Sequence, residues 1–161
     1  MRLTTMTDYA LRLLIYVARH PDRMCTNSEI AQAYGISRAH LVKVTHKLSR
    51  QGWIATVRGR GGGMQLSSGP GSINLGDVVR SVEPDFDLVA GLADGSARRF
   101  ASDEHLCCVM DGARRRFLQH LESYTLADVL ARAFPAASGG TIRAAGNAAP
   151  RGLAMPAPRR P

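Results

Sequence analysis

The chain has 161 residues, 45% of them hydrophobic, and 21 Lys and Arg against 13 Asp and Glu give it a formal charge of +8. That length suits one compact domain with an arm and a tail, and an aromatic content of 6% argues against a single-strand binder built on stacking platforms. No signal peptide is read at the start, Tyr9 to Ala18 is too short and too charged at Arg12 to span a bilayer, and three cysteines fit a reducing compartment, so a cytoplasmic protein is expected.

In chain order, Thr7, Asp8 and Tyr9 open a predicted helix with Leu11, Leu14, Ile15 and Ala18 as its inward stripe and Pro21 as its stop. Thr26 or Asn27 caps a short second helix, Glu29 returns a capping-box bond, and Gly35 ends it. Ser37 caps a third helix, in which Leu41, Val44 and Leu48 recur at helical spacing and Gly52 lies just past the end. Its outward face carries Arg38, His40, Lys43, Lys47 and Arg50. Two helices joined across a tight glycine turn make a helix-turn-helix, in which the second helix enters a major groove and the first crosses the backbone.

Trp53 to Val57 is rich in β-formers, Arg58 to Gly63 alternates arginine with glycine, and Met64 to Ser67 alternates apolar with polar. This reads as a hairpin whose tip, Arg58-Gly59-Arg60, can approach a phosphate or a narrow minor groove. A nucleotide-binding loop is excluded, because no Lys-Ser or Lys-Thr and no helix follow the glycines. Residues 67–71 form a turn, and Asn74 caps a short helix with Leu75, Val78 and Val79 that runs up to Pro84.

Residues 85–104 show no period. From His105 to Leu121 a wide stripe of Leu106, Val109, Met110, Ala113, Phe117, Leu118 and Leu121 predicts a long dimerisation helix; packing on its own domain is the alternative. Thr125 caps a last short helix to Leu130, and from Pro135 a tail of Ala, Gly, Pro and Arg is expected to be disordered. The expected organisation is thus a mostly α-helical winged helix-turn-helix domain over 1–84, a loop over 85–104, a dimerisation helix with its short companion over 105–134, and a basic tail over 135–161.

Charge follows these boundaries. Residues 1–67 hold ten Lys or Arg and three acids, +7; residues 68–134 hold seven and ten, −3; the remainder holds four Arg and no acid, +4. Basic charge concentrated on the reading head is the electrostatic footprint expected for duplex DNA, although a solvated basic face would share the same residues.

The chain resembles the winged-helix iron–sulfur regulators that include the nitric-oxide-sensing repressor NsrR and the cluster-assembly regulator IscR. The resemblance covers about residues 1–130. It is carried by Thr7-Asp8-Tyr9-Ala10-Leu11-Arg12, Ile30-Ala31, Gly35-Ile36-Ser37, His40-Leu41-Val42-Lys43-Val44, Val57-Arg58-Gly59, Gly62-Gly63, Gly76-Asp77-Val78-Val79 and Tyr124-Thr125-Leu126-Ala127-Asp128. The wording from Ser37 to Lys43 and from Val57 to Gly63 is most similar to the nitric-oxide-sensing branch. The resemblance implies a homodimeric repressor on a palindromic promoter site, with Ser37, Arg38, His40, Lys43 and Lys47 at the groove and Arg58, Gly59 and Arg60 in the wing.

It also implies a [2Fe–2S] or [4Fe–4S] cluster held by three cysteines over about 88–108. Here Leu88 to Leu92 and Arg98 to Phe100 stand where the first two belong, and Cys107 and Cys108 stand at the third. Two of three ligands are missing, so no cofactor is expected, with a mixed site of Asp8, His105, Cys107 and Cys108 as the candidate alternative. A thiol-based redox regulator built on Cys107 and Cys108 stands open beside it. A winged helix retained only for protein contacts has no need of Arg38, His40 and Lys43 together. An enzyme is not expected, since no partnered base, phosphate-cradling loop or Cys-x-x-Cys is present.

Overall fold

The first helix starts earlier than Thr7. In a computed structural model that describes residues 2–86 and 101–131, with only the helical course given for 101–103, Thr4 Oγ1 accepts the Thr7 amide and caps helix α1, Thr5–Ala18. Thr7 is therefore inside the helix, fully buried, and its hydroxyl donates to Glu83. The buried stripe of α1 is Ala10, Leu13, Leu14 and Val17, rotated from the expected one; Leu11, Ile15 and Ala18 are only half-buried. Thr7, Ala10, Leu13, Leu14 and Val17 share one face at helical spacing, and the carboxylate of Glu83 meets the start of that face, accepting the Thr4 amide at 3.1 Å.

Helix α2, Asn27–Tyr34, begins in a complete capping box between Thr26 and Glu29 and ends at Gly35, whose φ of 64° is a left-handed cap that favours glycine. Helix α3 runs from Arg38 to Arg50 and buries Leu41, Val44 and Leu48. Ser37 holds its N-cap position without a side-chain bond, which leaves that hydroxyl exposed. Strands β1, Ile54–Val57, and β2, Gly63–Leu66, pair antiparallel in the register Ile54 to Leu66 and Val57 to Gly63. Cys25 adds a short third rung, its amide donating to Met64 at 2.9 Å and its carbonyl accepting from Met64 at 2.7 Å. A Cβ at Gly63 would sit 2.6 Å from the Cys25 carbonyl oxygen, so this rung requires glycine there.

A 3-10 turn at Pro70–Ser72 leads to α4, Leu75–Val82, capped by Asn74, whose side chain accepts from Gly76 and Asp77. One core joins Leu13, Leu14, Ile30, Leu41, Val44, Leu48, Ile54, Met64, Ile73, Val78, Val82 and Leu126. Helix α5 spans Ala101–Glu122, four residues longer at its start than expected, so residues 101–104 belong to it and not to the preceding loop. Its C-terminal end is fastened to α4 by Arg80 with Glu122 and by Asn74 Nδ2 donating to the Glu122 carbonyl at 2.6 Å. Helix α6, Leu126–Leu130, starts in a second capping box, Thr125 with Asp128. Residues 87–100 of the loop expected over 85–104, residues 132–134 of the segment expected over 105–134, and the tail from 135 lie outside the described residues.

Candidate nucleic-acid interface

The angle between α2 and α3 is set by polar locks as well as by the core. Thr45 Oγ1 on α3 donates to Asn27 Oδ1 at the start of α2, 2.7 Å away. At the other end of α3, Lys47 Nζ donates to the Val82 carbonyl at 2.6 Å. Lys47, expected on the groove face, closes the C-terminus of α4 in this structure, where a cation meets the free carbonyls of the last turn. Trp53 Nε1 donates to Ser81 Oγ at 2.9 Å, so the base of the hairpin rests on the same turn of α4.

The residues left facing outward follow from helix geometry. With Leu41, Val44 and Leu48 inward and about 100° per residue, the opposite row is Ala39, Val42, Lys43, His46 and Arg50, all exposed. Arg38 is exposed at one edge of this row. His40 is exposed at the other, its ring 6.2 Å from that of Tyr9 on α1. Ala39, Val42 and His46 are absent from the sequence-based set, which favoured charge over position; the spacing of the three buried residues was enough to find them.

The hairpin tip presents Arg58 and Arg60 exposed on either side of Gly59. Gly59 and Gly61 adopt φ of 104° and 80°, and Gly62 donates to the Gly59 carbonyl at 3.0 Å, which closes a tight turn open to left-handed residues only. Among the described residues no carboxylate pairs with Arg38, Lys43, Arg58 or Arg60. Their charge is available to an anionic partner. Arg12, by contrast, is held by Asp8 at 2.8 Å, which raises its pKa.

A family model described as Rrf2, iron-dependent transcriptional regulator, matches residues 3–132. The chain belongs to the Rrf2 family. Solved structures agree with the winged-helix architecture of an Rrf2 regulator. A transcriptional regulator from Listeria innocua is 27% identical with a TM-score of 0.67, over 86% of this chain and 92% of that one. CymR, the global cysteine regulator of B. subtilis, is 27% identical with a TM-score of 0.61, over 80% and 95%. IscR from T. potens, 24% identical, shares the fold with a TM-score of 0.64 over 81% and 86%. As a member of a transcription-regulator family, the chain is placed among non-enzymes, and no helix of the described residues is long and apolar enough to cross a membrane.

The iron in the family's description calls for ligands, and the residues of this Rrf2 chain do not fit a cysteine-held cluster. Cys25 is fully buried beneath the hairpin, and burial pushes its thiol pKa up, away from the thiolate that a metal binds. Cys107 is buried and Cys108 exposed at successive positions of α5, where side chains diverge by about 100°. Asp8 is engaged by Arg12 on the surface, and His105 is exposed on α5. Among the described residues no three Cys, His, Asp or Glu gather into a metal-binding group, and residues 87–100 contain neither Cys nor His.

Proposed function

We propose that this Rrf2 protein is a cytoplasmic, homodimeric, sequence-specific repressor. Each α3 lies in a major groove of a palindromic promoter site, and each hairpin tip lies in the flanking minor groove. The observation that carries the reading is the set of exposed cations Arg38, Lys43, Arg58 and Arg60, with no acid partner among the described residues, on a helix-turn-helix and hairpin bonded to α4. Ser37, with a hydroxyl not used in capping, is suited to a phosphate, and Gly59 lets the backbone approach one. The dimer reading is supported by Leu106 and Val109 on α5, 51% and 67% exposed in the single chain.

Selection of duplexes from a random-sequence pool tests this proposal. Enrichment of a palindrome bound far more tightly than its scrambled counterpart, with log affinity falling linearly against log salt, is the expected result. Equal affinity for selected and scrambled duplexes would defeat it.

For the signal, the nitric-oxide-sensing likeness lies in the reading head, whereas the ligand set argues for a regulator without a cluster. The exposed thiol of Cys108 favours a thiol-based response instead. Anaerobic purification with iron and sulfide analysis distinguishes these: a colourless protein whose DNA binding responds to peroxide and loses that response in Cys108→Ser supports the thiol reading. A brown protein that bleaches with nitric oxide supports the cluster.

A further inference from the structure

The outward row of α3 is not uniformly charged. Val42 sits in it 50% exposed, with exposed Ala39 one turn before, Lys43 beside it and His46 one turn after. Scattered exposed apolar residues are ordinary on a protein surface. Val42 differs in its location, at the middle of the face that the proposed function turns toward base edges. The core does not need it, since Leu41, Val44 and Leu48 supply the buried side of α3. The helix does not need it either, because a β-branched residue is a poorer helix former than alanine and is stiff at χ1. A stiff pair of methyls held at fixed orientation beside Lys43 is suited to one apolar target in the major groove. The C5-methyl of thymine is the apolar group displayed there, since the other bases offer donors and acceptors.

We infer that Val42, flanked by Ala39, reads a thymine methyl in each half-site, so that this chain selects T at that position by apolar contact and not by hydrogen bonding. The inference rests on the DNA-reading proposal above. It adds a specificity-determining side chain that is uncharged and so escapes any search for basic residues.

The test uses the full-length protein and the duplex it enriches from a random pool, with each thymine replaced in turn by deoxyuridine. That replacement removes only the methyl and leaves pairing intact. One thymine per half-site is expected to be sensitive, losing about fourfold in affinity, the value of one buried methyl. Val42→Ala is expected to bind the thymine duplex about fourfold more weakly and to bind the uracil duplex as well as the thymine one. Because alanine is the better helix former, α3 persists in this variant, which circular dichroism checks. Arg58→Ala serves as a contrast, weakening both duplexes while keeping their ratio. Wild-type affinity unchanged by uracil at every position overturns the inference, as does a Val42→Ala protein that still discriminates as wild type does. A pool that yields no preferred duplex overturns the DNA-reading proposal itself, a separate and recognisable failure.

Discussion

Helices α3 and α5 both repeat apolar residues at helical spacing, yet they meet opposite fates. In α3 Leu41, Val44 and Leu48 are at most 1% exposed, and Arg38, Lys43 and Arg50 face solvent with no acid partner among the described residues. Among the described residues of α5 only Cys107 and Leu118 are buried, Leu106 and Val109 lie open, and two cations of the basic run share one acid within the helix, Arg114 and Arg115 at 2.5 and 3.1 Å from Asp111. Periodicity thus identifies which residues share a face but is silent on whether that face is covered. One helix buries its apolar side in the domain and leaves its cations outward; the other pairs part of its charge internally and leaves its apolar side open.

Substitution at matched positions is the most forceful way to break that contrast. Leu41→Ala is expected to lower unfolding stability by about 2–5 kcal/mol, read from urea denaturation, because the emptied space is enclosed by Ile30, Val44 and their neighbours. Val109→Ala, at 67% exposure, is expected to change the stability of the isolated chain by less than about 0.5 kcal/mol. Equal costs at the two sites, measured at dilutions where sedimentation shows a monomer, would show that α5 is packed within its own chain. Val109→Glu sharpens the same point through association. It places a charge on the open stripe, and sedimentation is expected to show a monomer, with affinity for a two-half-site duplex falling about a hundredfold as the linked second contact is lost. A dimer that survives this change would locate the interface elsewhere.

Legibility in the sequence divides along the same line, between local and distant partners. The capping boxes Thr26 with Glu29 and Thr125 with Asp128, the Asn74 cap and the Gly35 turn are each completed within a few residues, and each could be read directly. The bonds that orient the elements are different: Glu83 to Thr4 and Thr7, Lys47 to Val82, Trp53 to Ser81 and Thr45 to Asn27 join residues 18 to 79 positions apart. No spacing rule anticipates them. Glu83 is an example, since its bonds to Thr4 and Thr7 mark the start of α1 from 76 to 79 positions away. Of the interface residues, Arg38, Lys43, Arg58 and Arg60 were legible as charge. The bond from Lys47 to the Val82 carbonyl was not legible, because charge alone cannot distinguish a lysine facing a groove from one closing a neighbouring helix.

Salt dependence sharpens the contrast between free and committed cations. If Arg60 meets a phosphate, Arg60→Ala is expected to reduce the slope of log affinity against log salt by about one, uniformly across duplex sequences. Arg114→Ala and Arg115→Ala, which remove cations paired with Asp111 on a different helix from the reading head, are expected to leave that slope unchanged. A slope that fell equally in all three variants would place α5 on the DNA as well.

Acid is the gentlest probe, and it reaches the reading head through Glu29. Burial pushes the pKa of this carboxyl up, but the Arg23 guanidinium at 2.8 Å and the Thr26 amide at 3.0 Å outweigh it, so its pKa lies below the ordinary value. A depressed carboxyl contributes stability that is complete above the unfolded pKa of about 4.3 and is lost as pH falls through the folded one. In the native chain, urea midpoints should therefore be insensitive to Glu29 between pH 6 and 8, windows of about that range lying well above the transition. They should fall as the pH drops below about 4.3. Glu29→Gln keeps an acceptor for the Thr26 amide but has no charge to titrate, so its midpoint is expected to fall less steeply in acid. If both proteins lose stability along the same acid curve, the capping box at the start of α2 contributes nothing through its charge, and the helix is held by Ile30 in the core alone.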